Sequence, residues 1–117
     1  MVYNLWISSN SSCKINQIGM KFQEFKETLS NSKPPEYISH NLVALWQDAH
    51  GNWDEAHAIV QETSGLVGDW IHAYLHRKEG DLSNASYWYS RVGKLFPEIS
   101  LNQEWEELVR FLIAEKD

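Results

Sequence analysis

The chain has 117 residues, 43% hydrophobic and 13% aromatic, with six Trp and five Tyr, which is one domain's length with enough bulk for a true core. Ten basic against sixteen acidic residues leave a net charge of -6, and Arg77-Lys78 is the one basic doublet; this argues against nucleic-acid binding, which needs phosphate-neutralising stripes of Lys and Arg. No apolar run approaches the ~18 residues of a membrane span, no basic-then-apolar leader opens the chain, and the lone Cys13 has no partner for an internal disulfide, so the expectation is a cytoplasmic protein.

Residues 1–19 contain the polar run Ser8 to Ser12 and no sustained period. They read as a flexible arm with at most a short extended piece at Val2–Ile7. An amphipathic pattern opens at Met20: Phe22, Phe25 and Leu29 recur at helical spacing opposite Lys21, Glu24, Lys26 and Glu27, which predicts a helix over 20–30. The same pattern raises the expectation that translation starts at Met20, which N-terminal sequencing of the native protein decides. Pro34 ends that helix and disfavours helix at the residue before it, while the Pro34-Pro35 pair suits the first turn of the next.

The segment from Glu36 to His50 places Ile38, Leu42, Leu45 and Trp46 on one face and stops at Gly51. Asn52, with Glu55 three residues on, has the form of a capping box and starts a helix running to Ser64. The next helix covers Leu66 to Glu79 and is ended by Gly80. Another runs from Asp81 to Leu95, before Pro97. The last begins at Ser100, with Gln103 completing a second box, and turns Trp105, Leu108, Val109 and Leu112 inward to about Glu115. The reading is all-α, about five helices in a single domain over 20–117, with short loops that force antiparallel neighbours.

An internal repeat is visible. At a constant offset of 29 residues, Ala44 aligns with Ala73, Gly51 with Gly80, Asn52 with Asp81, Trp53 with Leu82 and Ala56 with Ala85. The units are 36–64 and 66–97, each a helix, a Gly turn and a second helix with Ala on its buried side. In these residues the chain resembles tetratricopeptide-type repeats: Gly80, Ala85, Tyr89 and Pro97 stand at the offsets of that family's turn Gly, close-packing Ala, aromatic and terminal Pro. The resemblance covers residues 35–97 and implies antiparallel helical hairpins with a concave face that holds a peptide or a helix. The period is shorter than the usual ~34 residues and the units are two rather than three, so the helices at 20–30 and 100–115 are expected to serve as caps. The wording "LWQDAHGNWDEAHAIVQ" followed by "WIHAYLHRKEGDLSNASYWYSRVGKLFP" is also similar to a group of small bacterial and fungal helical proteins, from which no activity carries over.

At about 100° per residue, Val67, Trp70, Ile71, Tyr74 and Leu75 share one arc of the 66–79 helix, and Asp69, His72, Ala73 and His76 share the other. An overlay on the tetratricopeptide pattern turns the second arc toward the partner helix instead. Burying Trp70, Ile71 and Tyr74 is favoured, at about 1.5–3 kcal/mol for each large apolar side chain; burying two histidines and an Asp costs desolvation unless each is paired. His72 and His76 point the same way one turn apart and can share a metal such as Zn, Ni or Fe(II), with Asp69 as a third ligand and His57 facing them from the preceding helix. The bland counterpart is that both histidines hydrogen-bond to Asp69, Glu79 or a neighbouring helix.

Other features carry less. Gly65 and Gly68 precede a helix start that can receive an anion, but the Lys and preceding strand of a phosphate loop are missing. Glu104, Glu106 and Glu107 read as a solvated face near a helix start, and Ser64 and Ser86 lack a nucleophile-elbow context. Tyr87, Trp88 and Tyr89 circle their helix, so one ring must face outward or into a groove. The leading function is a non-enzymatic protein or peptide interaction module with no cofactor, its surface made by Trp70, Tyr74, Arg77 and Trp88, with Arg77 gripping a partner carboxylate. The competing reading is a metal-binding protein or metal-dependent hydrolase built on His57, Asp69, His72 and His76 with a divalent transition metal. Homodimerisation through the aromatic face is a third.

Overall fold

Every regular element among the described residues, 20–115 of the computed structural model, is helical. The elements are α1 (Phe22–Glu27) continued by a 3-10 turn (Thr28–Ser30), α2 (His40–Ala49), α3 (Trp53–Gln61), α4 (Leu66–Glu79), α5 (Leu82–Arg91) and α6 (Leu101–Glu115). The arm expected over 1–19, with Cys13, lies outside the described residues. Among the described residues there are six α-helices against the expected count of about five, the capping helix expected over 20–30 included.

Local chemistry explains where the boundaries differ from expectation. Tyr37 has a φ of +72°, which no helix accommodates, and Ser39 then caps α2 by accepting from the Leu42 N–H at 3.2 Å. The Pro pair therefore precedes α2 instead of opening it. Asn52 does not form the expected capping box; its side-chain amide donates to Gln47 Oε1 at 2.8 Å. The Ser100–Gln103 box does form, each side chain bonding the other's backbone N–H at 3.0 and 3.1 Å. α5 stops at Arg91, short of the expected Leu95, and Gly93 follows with a φ of +73°.

Three of the five pairs related by the 29-residue offset share their environments, while Trp53 is half-buried where Leu82 is exposed, and Asp81 caps its helix where Asn52 does not. Ala44 and Ala73 are fully buried, as are Ala56 and Ala85, and Gly51 and Gly80 both turn the chain in the left-handed region, at φ +83° and +94°. α2 packs on α3, α3 on α4 and α4 on α5, while α6 lies across α1, α2 and α4. α4 thus packs against α2, α3, α5 and α6, with Trp70 to His76 buried among them.

That placement corrects the register expected for α4. Trp70, Ile71, Tyr74 and Leu75 are buried, and so are Ala73, His72 and His76. Tyr74 and Trp70 reach α2 and α6 on one side, and His72 reaches α3 and α5 on the other. The two registers read from the sequence describe two faces of a helix that is covered on both.

Indole N–H groups tie the layers together. Trp46 donates to Thr28 Oγ1 (3.2 Å), Trp53 to the Leu75 carbonyl (2.8 Å), Trp70 to Glu104 Oε2 (3.1 Å) and Trp105 to the Leu45 carbonyl (3.0 Å). Each places a large apolar body in the core (Trp46, Trp70) or against it (Trp53, Trp105) and its one donor on another element.

Glu104, expected on a solvated face, is 2% exposed. Besides the Trp70 indole, its carboxylate accepts from Arg77 Nη1 at 2.7 Å and from the Tyr89 hydroxyl, whose oxygen lies 2.8 and 2.7 Å from the two carboxylate oxygens. Arg77 Nη2 donates to the Ile99 carbonyl. Asp48, also 2% exposed, accepts from the Tyr74 hydroxyl at 2.7 Å and from Lys78 Nζ at 3.0 Å. Burial and these carboxylates hold both phenols far above their ordinary pKa, so they act as donors. Removing the Glu104 carboxylate strands a guanidinium, an indole and a phenol. Glu104→Leu is expected to cost about 3–5 kcal/mol of stability, and Glu104→Gln distinctly less, as read from urea midpoints; a loss below about 1 kcal/mol for Glu104→Leu would show that the hub does not hold α4, α5 and α6 together.

Candidate metal centre

Three histidines meet where α3 crosses α4. His57 lies one turn into α3, after Trp53, whose indole stacks on its ring at 4.8 Å and 10° and is itself anchored to the Leu75 carbonyl. His72 and His76 are one turn apart on α4, their rings stacked at 4.9 Å and 27°. His57 Nε2 and His72 Nε2 are 3.0 Å apart, one ring donating to the other. The His57 and His76 ring centres are 5.1 Å apart. One donor nitrogen from each of the three lies within 4.8 Å of the other two.

The surroundings fix each ring. Trp88 of α5 covers the outer face of His72 at 4.0 Å and 15°. His76 Nδ1 is 2.7 Å from Glu79 Oε2, a carboxylate that can only accept, so Nδ1 carries a proton, and in the neutral ring the lone pair is then on Nε2. Burial, then the neighbouring His57 and His76 charges, pushes the His72 pKa down to about 4. His57 is lowered too, by burial and the His76 charge, against the opposing pull of Glu79 and Asp54. At neutral pH these two rings therefore present unprotonated nitrogens, the form a metal needs.

The other predicted site residues lie elsewhere. Asp69 does not join the cluster; its carboxylate is 3.8 Å from Arg91 Nε on α5, so it pairs with a cation rather than turning to His72. The interaction surface expected from Trp70, Tyr74, Arg77 and Trp88 is not assembled. Trp70 and Tyr74 are 8% and 2% exposed, Arg77 is held by Glu104, and Trp88, half-buried, stacks on His72. At the Gly65 to Gly68 turn, a Cβ on Gly68 would meet the Thr63 carbonyl at 3.0 Å. Close approach of the chain explains that glycine without an anion.

Among the described residues no helix is long and apolar enough to cross a membrane, and the fold class is all-α. Comparison with protein-family models, curated proteins and solved structures gives no match to this chain.

The depressed His72 pKa has a definite sign in stability. A histidine lowered from 6.5 to about 4 on folding contributes stability that is fully present above pH ~6.5 and lost as pH falls toward ~4. Metal-free protein is expected to lose about 2–3 kcal/mol over that window, with His72→Gln flattening the dependence. The checks are urea midpoints against pH and the His72 ring resonances by NMR; a His72 midpoint near 6.5 would contradict the buried, neutral cluster.

Proposed function

We propose that this chain is a metal-binding protein whose centre is His57, His72 and His76, taking a divalent transition ion such as Zn, Ni or Fe(II). The observation that carries the reading is the convergence of three imidazole nitrogens from two helices to within 4.8 Å, with pKa values for His57 and His72 that favour the neutral ligand form. Imidazole ligands suit these ions. Three protein ligands leave a fourth position for water, which is the arrangement that metal-assisted hydrolysis uses; the hydrolytic form of the proposal adds that requirement. We also read the scaffold as a tetratricopeptide-like array, on the strength of the matched environments 29 residues apart.

A second reading, an interaction module for a protein or peptide or for a second copy of the chain, is favoured by a different surface from the one first expected. Leu95 is 93% and Phe111 47% exposed. Leu95, Trp70, Lys94 and Glu107 line a cavity of about 350 Å³. Light scattering after size exclusion, on wild type and Leu95→Asp, tests the two-copy version: a dimer abolished by the substitution supports it, and a monomer for the wild type removes it.

For the metal reading the test is metal content by mass spectrometry on untagged protein purified without chelator, beside His72→Ala. About one ion per chain is expected in the wild type and none in the variant, with helicity nearly unchanged. Absence of metal in both, even after adding Zn, Ni or Fe(II), would contradict the proposal.

A further inference from the structure

The end of α4 carries an acid that bonds one ring of the histidine cluster. Glu79 is the last residue of α4, at the end of a helix where the macrodipole disfavours negative charge and favours cations. The rest of that turn follows the rule, with His76, Arg77 and Lys78. One donor oxygen each from Glu79 and Asp81 lies within 4.8 Å of the other, a like-charge approach that also disfavours an acid here. Neither carboxylate is buried, so no packing requirement holds Glu79 in place. Its hydrogen bond in the structure is to His76 Nδ1, at 2.7 Å.

We infer that Glu79 is a positioning residue of the metal centre, holding the Nδ1–H of His76 so that His76 meets the ion through Nε2. This rests on the metal-binding reading above. The physical reason is the same for any imidazole ligand: the group bonded to one ring nitrogen fixes the tautomer and the plane of the ring, and a charged acceptor makes the other nitrogen a better electron-pair donor. His57 and His72 are oriented by indole stacking, at 4.8 and 4.0 Å. Trp53 meets His76 edge-on, with ring centres 5.9 Å apart, which leaves the Glu79 bond to set that ring's tautomer.

Asp81 is the competing acid. His76, Glu79 and Asp81 form a second group of close donors, and an ion held there would use both carboxylates directly. Asp81 also caps α5, accepting weakly from the Asn84 N–H at 3.4 Å. Asp81→Asn keeps the capping chemistry while removing the charge, so it separates the two arrangements.

The experiment is Zn(II) affinity by competition with a chromophoric chelator, and the Co(II) absorption spectrum, for wild type, Glu79→Ala, Glu79→Gln and Asp81→Asn. The thermal midpoint of each metal-free protein is measured alongside. Glu79→Ala is expected to weaken Zn(II) about 10- to 100-fold, with a metal-free midpoint lowered only by the loss of the single acceptor of the His76 Nδ1–H. Glu79→Gln, whose amide oxygen still accepts the Nδ1–H without charge, is expected to recover part of that loss. Asp81→Asn is expected to match the wild type. Wild type that binds no Zn(II) overturns the metal reading and this inference with it. Wild type that binds, with Glu79→Ala within about 2-fold of it, overturns the role of Glu79 alone. Equal losses in Glu79→Ala and Glu79→Gln, with a changed Co(II) spectrum, overturn positioning in favour of direct ligation, and an equal loss in Asp81→Asn moves the ion to the acidic pair.

Discussion

The structure depends on the enclosure of α4. A fourteen-residue helix packed against α2, α3, α5 and α6 is buried through its middle, from Trp70 to His76, and its sequence puts several polar side chains there. Each polar group buried there must find a partner, since leaving it unsatisfied costs about 1–3 kcal/mol and more if it is charged. Trp70 and Arg77 are answered by Glu104 of α6, Tyr74 by Asp48 of α2, and His72 by His57 of α3. The neighbouring helices are oriented by those obligations as much as by apolar packing, and the two polar centres of the molecule are consequences of the same burial.

This has a direct bearing on the histidine cluster. In the metal-free protein the rings already satisfy one another, His57 with His72 and His76 with Glu79. On the proposed metal reading, an ion would exchange the His57–His72 hydrogen bond, worth about 1 kcal/mol net, for coordination by imidazoles. The Trp53 and Trp88 stacks hold two of the rings in place beforehand, which lowers the ordering cost of capture. On the proposed metal reading such a centre would be prebuilt rather than induced, and the lowered pKa values of His57 and His72 would favour a cation that takes electron pairs over a bare proton.

Much of the architecture was legible in the chain. Helical spacing, Gly turns and the Ser100–Gln103 box located the elements, and the 29-residue offset pointed to Ala44, Ala56, Ala73 and Ala85 as close-contact positions, all four fully buried. The register of α4 was not legible, because periodicity assumes one buried face and this helix has two. Periodicity favoured burying Trp70 and Tyr74, as the structure has them; their place on a binding surface came from the interaction reading alone. Glu104 was missed because a Glu among other Glu near a helix start looks solvated; the sign available was the surplus of buried donors, Trp70, Arg77 and Tyr89, that an all-apolar neighbour would leave unmet. His57, His72 and His76 were legible as candidates from spacing alone. Asp69 failed as a companion because Arg91, one helix away in the fold, competes for its carboxylate, and sequence distance carries no trace of that contact.

The most direct test of the central claim is an anomalous difference map at the metal edge from crystals grown with Zn(II). The account predicts one strong peak about 2.0–2.1 Å from a nitrogen of each of His57, His72 and His76, with the His57–His72 hydrogen bond broken. A map in which that hydrogen bond is intact and the only density lies at Glu79 and Asp81, or nowhere, would contradict it.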